Sequence, residues 1–413
     1  MILSILRGSD EIGGNCVKIT SGNTTIIIDM GMPLYDKDKK PFDKRQARAV
    51  LPNVSGLYYK PYVSGILISH SHKDHYGLVS FSANDIQIYA GQGTRKLMEI
   101  STLINGLKID SSRFWEIKDR QKFNINQFEI TPYILDHSAY ESMSFLISAE
   151  GKNIFYSGDF RAGGSRNWVF EKFIKEYNVK TDALLLEGTL IINRRERDCV
   201  SEDDVFEKIT KELKKSYKGL TFAAYSSQNI GRFLSFYKSC LKTKKTLVID
   251  PYTALILDRI KTRTIPGPFA NNIKIYCVSN NISKKIFKIP GTKKFGKNKI
   301  QVNDIISNPE KYVIAARYDI FKKFKLLLKE SRLIWSIWDG YLEENKKFWC
   351  NFGKQIIKIH TSGHANINTL KEFVKAINPD IIIPIHTQNP ELYRNVFPYN
   401  KVKLCKNGEE FII

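Results

Sequence analysis

Three histidines and one aspartate fall within six residues of this chain, in the stretch His-Ser-His-Lys-Asp-His that runs from His70 to His75. The apolar run Gly65–Ile68 before it predicts a short buried strand, and Asp74 is suited to the first turn of a helix. Side chains two residues apart on an extended segment point the same way, so His70 and His72 would face one point. The turn into the helix would bring Asp74 and His75 to a second point about 3.5–4 Å away.

A strand that feeds a helix is where α/β folds place active sites, and this stretch therefore predicts two adjacent metal ions. Imidazole nitrogen and carboxylate oxygen favour Zn²⁺, with Mn²⁺ as the next candidate. The alternative, surface histidines in a polar turn, is disfavoured by the density of the cluster. The chain has only seven histidines, and each lies in a segment that can be argued to be catalytic: residues 70, 72, 75, 137, 360, 364 and 386.

The 413-residue chain carries a formal net charge of +22, and its pI is near 9.5. Such a charge indicates a polyanionic partner, with nucleic acid ahead of an anionic membrane surface. No apolar run approaches the roughly 18–20 residues of a spanning helix, and the first residues lack the features of a signal peptide. We therefore expect a cytoplasmic protein, and the length predicts two or three domains.

The six cysteines are dispersed and include no Cys-x-x-Cys pair. This spacing disfavours a disulfide framework and a structural zinc site, so we expect reduced thiols. They are Cys16, Cys199, Cys240, Cys277, Cys350 and Cys405.

The chain changes character near residue 188. Ser201 with Asp204 three residues later predicts the start of a helix, and strands then alternate with helices from Leu220 to Ile260. Residues 188–347 contain 33 lysines and arginines against 16 acidic residues, so this part carries +17 of the net charge. We predict one domain from residues 1–187 and 350–413, interrupted by a basic α/β domain at 188–349.

Between Lys284 and Lys299 the chain has seven lysines and no acidic residue, which predicts a flexible basic loop. The loop is either merely solvated or a contact surface for nucleic acid, and we favour the contact surface because metal sites of this kind act on anions. After it, Ile356–Ile359 and Asp380–Ile385 read as strands with a helix at Asn368–Ile377 between them. These predict one right-handed βαβ unit.

The His-x-His-x-Asp-His pattern resembles the signature of the metallo-β-lactamase fold, and this copy is similar to its β-CASP nucleases, most of all to the ribonuclease J group. The resemblance covers nearly the whole chain. It implies an α/β (α+β) architecture: a metallo-β-lactamase αββα sandwich with an inserted α/β β-CASP domain. The likeness rests further on Asp136-His137-Ser138, Ser157-Gly158-Asp159, Glu187, Thr361-Ser362-Gly363-His364-Ala365 and Pro384-Ile385-His386. One departure is Thr387, where family members often have glycine.

The resemblance implies two zinc ions per chain, with Mn²⁺ possible, that activate water for attack on phosphorus. Asp29 would order the metal-binding loop, Asp74 would orient the attacking hydroxide, and Glu187 would fix the tautomer of a ligand histidine. His364 would stabilise the phosphate or protonate the departing 3′-oxygen, while His360 is either a supporting or a structural residue. One ion would be held by His70, His72, His137 and Asp159, and the other by Asp74, His75, Asp159 and His386.

Tyr225-Ser226-Ser227-Gln228-Asn229 follows a strand and precedes a helix, so its N–H and hydroxyl groups could bind an anion. In ribonuclease J-like enzymes the matching turn holds the 5′-phosphate of RNA. Here Ser226 and Ser227 with Gly363 and His364 would form such a pocket. Helix capping by the serines is the alternative.

We therefore expect a metal-dependent ribonuclease that acts on single-stranded RNA from the 5′ end, internally, or both. Three alternatives remain: a β-CASP nuclease acting on DNA, a small-molecule hydrolase of the same fold, and a non-catalytic RNA-binding subunit. The small-molecule hydrolase would not need the basic insert, and a non-catalytic relative would have lost metal ligands. A homo-oligomer is possible.

Overall fold

The structure, a computed structural model, describes residues 1–413 except 37–39, 41, 107–108, 193–200, 325–326, 328–329 and 351–354. The chain divides into two compact units, and each consists of more than one segment. Unit 1 comprises Met1–Ala162, Arg166–Arg195 and Gly363–Ile413; unit 2 comprises Gly163–Ser165 and Glu196–Ser362.

The first part of the chain is rich in strands, and several of them, such as β4 and β11, are buried along their whole length. Its helices are few, and α1 is a single turn directly after the histidine-rich loop. The elements are β1 (Ile2–Arg7), β2 (Cys16–Ser21), β3 (Thr24–Ile28), β4 (Gly65–Leu67), α1 (Lys73–Tyr76), β5 (Ile88–Gly91), α2 (Gln92–Asn105), β6 (Phe114–Ile117), β7 (Phe123–Ile125), β8 (Phe128–Ile134), β9 (Met143–Ala149), β10 (Lys152–Tyr156), α3 (Asn167–Glu176) and β11 (Ala183–Glu187).

Strands and helices alternate in the middle part, as predicted, and Ser201 forms a reciprocal capping box with Asp204 at the start of α4. The elements are α4 (Glu202–Lys214), β12 (Leu220–Ala224), α5 (Ile230–Lys242), β13 (Thr246–Ile249), α6 (Pro251–Ile260), β14 (Ile273–Ile275), α7 (Asn281–Phe287), α8 (Val302–Ser307), β15 (Tyr312–Ala315), α9 (Tyr318–Phe324), β16 (Ser331–Trp335), α10 (Asp339–Glu344), α11 (Lys346–Trp349) and β17 (Gln355–Lys358). The final part has α12 (Ile367–Ile377), β18 (Ile381–Ile385), α13 (Tyr393–Val396) and β19 (Glu410–Ile412).

Unit 1 is an αββα sandwich, as the resemblance implies. One sheet has the order β19-β1-β2-β3-β4-β5-β6 and the other β18-β11-β10-β9-β8-β7. Residues from both sheets, including Ile19 and Phe145, form a shared buried core. On the outer face of the second sheet, Phe173 of α3 and Phe373 of α12 pack against Phe155. Truncating a phenylalanine in such a core to alanine costs about 3–5 kcal/mol.

Unit 2 is built on a six-stranded sheet with the order β14-β13-β15-β12-β16-β17, in which every pairing is parallel. Its central strands β12 and β16 are buried along their whole length, as expected for a parallel sheet covered on both faces. The predicted α/β character of the insert is thus confirmed.

The predicted βαβ unit near the C-terminus is wrong. β17 pairs with β16 in unit 2, whereas β18 pairs with β11 in unit 1, so the two strands belong to different sheets. A four-residue apolar stretch such as β17 does not specify its partner, and the neighbouring strands decide it. The middle unit therefore extends through Ser362 rather than to residue 349.

The predicted flexible loop at Lys284–Lys299 is also wrong in its local structure. The segment contains the end of α7 and a 3₁₀ helix at Thr292–Asn298. Ile286 and Phe295 are fully buried and hold it against the rest of unit 2, which lysine-rich composition alone does not reveal. Its lysines still point outward for the most part.

Burial raises the pKa of the Cys16 and Cys240 thiols to about 12, so both are protonated at neutral pH. The cysteines of the described ranges are free thiols, and Cys199 lies outside those ranges. Within the same ranges, none of the helices has the length and apolar character needed to cross a bilayer.

Candidate metal centre

The short helix α1, which carries Asp74 and His75, is fixed by backbone contacts with the segments before β2 and after β3. Met30 N–H donates to the carbonyl of His75 (2.7 Å), and Asn15 N–H donates to the carbonyl of Asp74 (3.0 Å). A Cβ at Gly31 would lie 1.8 Å from the carbonyl oxygen of Asp74, so only glycine permits this approach. The histidine-rich loop is therefore held by backbone, independently of any ligand.

Asp29 sits below this loop and accepts four contacts with its fully buried carboxylate. Ser69 donates to it from its N–H (2.8 Å) and its hydroxyl (2.7 Å), and Tyr156 donates its hydroxyl at 2.7 Å. Nδ1 of His75 lies 2.7 Å from Oδ2. Asp29 is thus placed where its predicted supporting role requires it, because a carboxylate on Nδ1 leaves Nε2 of the ring for another partner.

Asp159, which follows β10, lies at the centre of the histidines. Its side chain is 1% exposed. Both carboxylate oxygens face imidazole nitrogens within 4 Å, although the histidines come from four separate stretches of the chain. Oδ2 is 3.1 Å from His75 Nε2, 3.7 Å from His70 Nε2, 3.9 Å from His137 Nε2 and 3.9 Å from His364 Nδ1, and Oδ1 is 3.7 Å from His386 Nδ1.

Four groups of side chains in the described residues present nitrogen and oxygen atoms close enough to hold a metal ion. Within each group the candidate ligand atoms lie within 4.8 Å of one another. Two of the four groups share Asp159, and together the groups contain every residue predicted to bind metal. They are His70, His72 and His137; Asp74, His75 and His386; His70, His75 and Asp159; and Asp159, Glu187, His364 and His386.

Some of these candidate ligand atoms are buried polar atoms that lack a hydrogen bond. Nε2 of His70 and Oδ1 of Asp159 are buried, and neither has a hydrogen-bond partner among the residues that the structure describes. A buried polar atom without a partner costs about 1–3 kcal/mol. Converging imidazole nitrogens and carboxylate oxygens are the donor set that Zn²⁺ takes, so these residues fit such an ion.

The protonation states suit metal binding. Burial is the main reason why the pKa of His72 falls to about 4 and the pKa values of His70 and His137 fall well below the usual range. Burial opposes ionisation of Asp74, but the hydrogen bond with His386 and the charge of His75 outweigh it and lower the pKa of Asp74 to about 2. At neutral pH these histidines are neutral and this aspartate is ionised, the forms that coordinate metals.

His75 behaves differently because it lies between two carboxylates. Burial alone would lower its pKa, but the charges of Asp159 and Asp29 raise it well above the usual range. His75 therefore carries a proton between these acids when no cation is bound, and a metal ion would have to displace that proton.

Glu187, at the end of β11, does not contact a histidine of the predicted ligand sets. Its Oε1 lies 3.3 Å from Nδ1 of His364 and accepts the N–H of Ala365 at 3.3 Å. The N–H of Thr189 donates to Oε2 at 3.1 Å. The resemblance implied a ligand histidine as its partner; in the structure Glu187 instead orients His364, and its charge raises the pKa of that histidine despite burial.

Two further histidines are oriented through Nδ1. His137 donates Nδ1–H to the carbonyl oxygen of Gly363 at 2.5 Å, which turns Nε2 toward His72 Nδ1, 3.2 Å away. Nδ1 of His386 is hydrogen-bonded to the hydroxyl of Thr189 (2.8 Å), and its Nε2 lies 3.4 Å from Asp74 Oδ2. Gly363 thus acts on His137 through its backbone.

Ser226 and Ser227 belong to unit 2, whereas Gly363 and His364 belong to unit 1. The hydroxyl of Ser227 is buried, hydrogen-bonded to Thr253 Oγ1 (2.8 Å) and accepting from Arg317 Nη2 (2.5 Å). Ser226 is exposed. The N-cap of α5 is Asn229, whose side chain accepts the N–H of Arg232, so helix capping by the serines is not their role.

His360 also belongs to unit 2, and its Nδ1 lies 2.9 Å from Nη1 of Arg232. Arg232 is fully buried, pairs with Glu202 at 2.9 Å and donates to the backbone and hydroxyl of Ser336. His360 is therefore part of a structural network. The one indication of this network in the sequence is Arg232 itself, an arginine on the apolar, buried face of α5.

Two families match the sequence. Residues 33–208 match the Beta-lactamase superfamily domain, and residues 354–394 match the Zn-dependent metallo-hydrolase RNA specificity domain. The first match contains the His70–His75 loop, His137, Asp159 and Glu187, and the second contains His364 and His386.

Among curated proteins, the ribonuclease J of Helicobacter pylori is 22% identical over 98% of this chain and 60% of its own length. The ribonuclease J of Mycoplasma genitalium is 23% identical over 92% of this chain and 66% of its own length. The chain thus spans about 60% of the length of the first of these relatives. A crystal structure of a protein of unknown function from Enterococcus faecalis has the same fold, with a TM-score of 0.80, 20% identity and coverage of 100% of this chain and 99% of the other.

Proposed function

Because the chain belongs to the β-CASP branch of the metallo-β-lactamase superfamily, we propose that it is a metal-dependent ribonuclease that hydrolyses phosphodiester bonds of single-stranded RNA in the cytoplasm. The observation that carries the proposal is the Asp159 carboxylate with imidazole nitrogens of five histidines within 4 Å. The names of the relatives favour RNA over DNA as the substrate.

The proposed ligand sets are His70, His72, His137 and Asp159 for one Zn²⁺, and Asp74, His75, Asp159 and His386 for the other, with Mn²⁺ as the alternative metal. Bound ions of this kind offset negative charge on a phosphate and lower the pKa of water from about 15.7 toward 7. Asp29, Thr189 and Gly363 contribute by fixing the orientation of the ligand rings.

The reaction transfers the oxygen of water to phosphorus and breaks the bond between phosphorus and the 3′-oxygen, which takes up a proton. Asp74 is ionised and 13% exposed, so it can orient the attacking water. His364 is 20% exposed, whereas the other four histidines around Asp159 are at most 1% exposed. His364 is therefore the histidine that can reach the substrate, and with Glu187 behind its Nδ1 it would stabilise the phosphate or protonate the departing oxygen.

For substrate binding we propose that the positive charge of residues 188–347, which is +17, attracts the RNA backbone. Ser226 and Ser227 of unit 2 would bind a 5′-phosphate and allow trimming from the 5′ end. The exposed hydroxyl of Ser226 supports this part of the proposal, while Ser227 would act mainly by orienting Arg317.

One assay tests the activity and its substrate together. Purified protein is given 5′-monophosphorylated, 5′-triphosphorylated and circular RNA, with single-stranded DNA of the same sequence alongside, with and without added Zn²⁺ or Mn²⁺. We expect metal-dependent cleavage of RNA, fastest on the 5′-monophosphate. Equal cleavage of DNA would assign a DNA-tolerant nuclease, and binding of RNA without any cleavage under all metal conditions would refute the catalytic proposal.

A further inference from the structure

An exposed aromatic pair follows β16 in unit 2. Trp335, at the end of β16, is fully buried, whereas Trp338 is 46% exposed and Tyr341 is 48% exposed. The rings of Trp338 and Tyr341 meet edge to face, with centroids 5.3 Å apart and planes at 88°. Core packing accounts for Trp335, but it does not explain why the large rings of Trp338 and Tyr341 are about half exposed to solvent.

The position of the Trp338 ring depends on a glycine. A Cβ at Gly340 would lie 2.1 Å from an atom of the indole six-membered ring, and two further ring atoms would lie at 2.2 and 2.5 Å. The indole thus packs directly on the backbone of Gly340, with Tyr341 against its edge. Such packing restricts the ring to one place and leaves part of its surface open to a ligand.

The pair lies beyond the C-terminal end of a parallel strand. β16 is adjacent to β12, and the N–H of Ser336 donates to the carbonyl of Ala224, the last residue of β12, at 2.9 Å. The loop with Trp338 and the turn that opens α5 therefore leave the sheet at the same edge. In parallel α/β sheets this is the edge at which ligands bind.

The segment that contains this edge is basic as a whole, since residues 188–347 carry a net charge of +17. Within the loop itself, the acidic Asp339 is paired with Lys358 at 3.1 Å. Flat aromatic side chains in a positively charged groove are the combination with which proteins bind single-stranded nucleic acid, because cations meet the phosphates and rings stack on the bases. An acidic protein partner would use the charge but would not require an indole held flat.

We propose that Trp338, held in place by Gly340 and Tyr341, is a stacking platform for one base of a single-stranded nucleic acid that binds along this edge of unit 2. The inference rests on the proposed function in that RNA is the substrate. It adds a contact to a base, whereas the lysines contact the phosphates. Every base has a π face, so the platform does not select a sequence.

The test measures the affinity of the metal-loaded protein for two fluorescein-labelled probes of equal length over a range of salt concentrations. One probe is an oligoadenylate with phosphorothioate linkages, which slow hydrolysis, and the other has the same backbone without bases. Trp338→Ala should weaken binding of the oligoadenylate about tenfold at every salt concentration and leave binding of the abasic probe unchanged. Trp338→Phe should recover most of the affinity.

Two further variants separate the platform from a general surface effect. Gly340→Ala keeps the indole of Trp338 but displaces it. This variant should therefore lose part of the affinity for the oligoadenylate that Trp338→Ala loses. Trp115→Ala removes a tryptophan that is 58% exposed on β6 of unit 1. This variant should bind both probes with wild-type affinity. Thermal unfolding of each variant checks that the fold is kept.

Equal affinity of Trp338→Ala and wild type for the oligoadenylate would overturn the platform, as would an equal loss with the abasic probe. Cleavage by the wild type is scored separately on unmodified RNA. If wild type cleaves and Trp338→Ala binds normally, only the platform fails; if wild type binds through Trp338 but never cleaves, the platform stands and the proposed catalysis fails.

Discussion

Nδ1 of His75 lies 2.7 Å from Oδ2 of Asp29, and both side chains are fully buried. The same imidazole presents Nε2 to Asp159 at 3.1 Å. Asp29 has a positive φ of 56°, which places its carboxylate under the loop rather than along β3. One side chain thus couples the end of β3 to the orientation of a candidate ligand, and this coupling can be tested without touching any ligand.

Asp29→Asn should weaken metal binding by about 10- to 100-fold and leave the fold intact. Asparagine tolerates positive φ and keeps the shape of the side chain, but it lacks the charge that fixes the His75 ring. Titration of the apo protein with Zn²⁺, read by metal content after desalting, measures the change.

Asp380→Asn is the matched control, because Asp380 is exposed and its only described ion pair is the surface contact with Lys180. It should bind metal as wild type does. If Asp29→Asn also binds metal with wild-type affinity, Asp29 supports the backbone of the loop and does not orient the His75 ring.

Asp159→Asn should abolish hydrolysis and lower the metal content, while the secondary structure remains. The carboxylate touches both proposed ligand sets, so its loss should affect both ions, whereas His386→Ala should chiefly empty the site of Asp74 and His75. Metal analysis and circular dichroism of the two variants check this. An active wild-type protein with a metal content near zero would refute the two-metal proposal.

Neutralising the lysines of the 3₁₀ segment should flatten the salt dependence of RNA binding. Lys294 is already paired with Asp258 at 2.8 Å, so Lys293, Lys297 and Lys299 should carry the effect. Their change to glutamine should lower the slope of log K against log salt by up to about 2 for a single strand, with a smaller effect on turnover at saturating RNA.

Two comparisons make this result specific. Adding Lys294→Gln to the triple variant should change the slope little more. A set in unit 1 with the same loss of charge as the resulting quadruple variant (Lys371, Lys375, Lys401 and Lys406 to glutamine) should leave the slope nearly unchanged. Equal slopes for the basic-segment variant and wild type would mean that these lysines are only solvated.

Ser226→Ala should remove the preference for a 5′-monophosphate without destabilising the protein, because Ser226 is exposed. Ser227→Ala should in addition lower stability by about 1 kcal/mol or more, because its buried hydroxyl is bonded to Thr253 and Arg317. Product ladders from 5′- and 3′-labelled RNA, with thermal unfolding alongside, separate the two effects. Identical ladders for Ser226→Ala and wild type with every 5′ end would exclude this serine from a phosphate pocket.

Arg232→Met should lower the free energy of unfolding of unit 2 by about 3–5 kcal/mol, because it leaves the Glu202 carboxylate buried without its counter-charge. The double variant Glu202→Leu with Arg232→Met should regain much of that loss. Arg259→Met, on the exposed side of α6, serves as the control and should stay within about 0.5 kcal/mol of wild type. Denaturant unfolding measures all three, and a double variant no better than the single one would show that Arg232 acts through Ser336 and His360 instead.

The sequence was most informative where residue type and spacing are constrained by chemistry. The His70–His75 stretch, His137, Asp159 and His386 do converge, and the αββα sandwich and the α/β insert are confirmed. The sequence did not predict which strand or side chain pairs with a residue that lies far away along the chain. The apolar residues of β17 would fit either sheet, and nothing near Glu187 indicates that its partner is His364. The helices around Phe295 were missed because lysines dominate the local composition while two buried apolar residues determine the packing.

The order of segments in unit 1 sets an order of events during translation. Synthesis from residue 1 delivers all of Glu196–Ser362 before β18 and β19 exist, yet these strands form the edge beside β11 in one sheet and the edge beside β1 in the other. His386 follows β18 and is the last of the clustered histidines to leave the ribosome. A nascent chain therefore carries Asp159 with an incomplete set of partners until residue 386 has been synthesised.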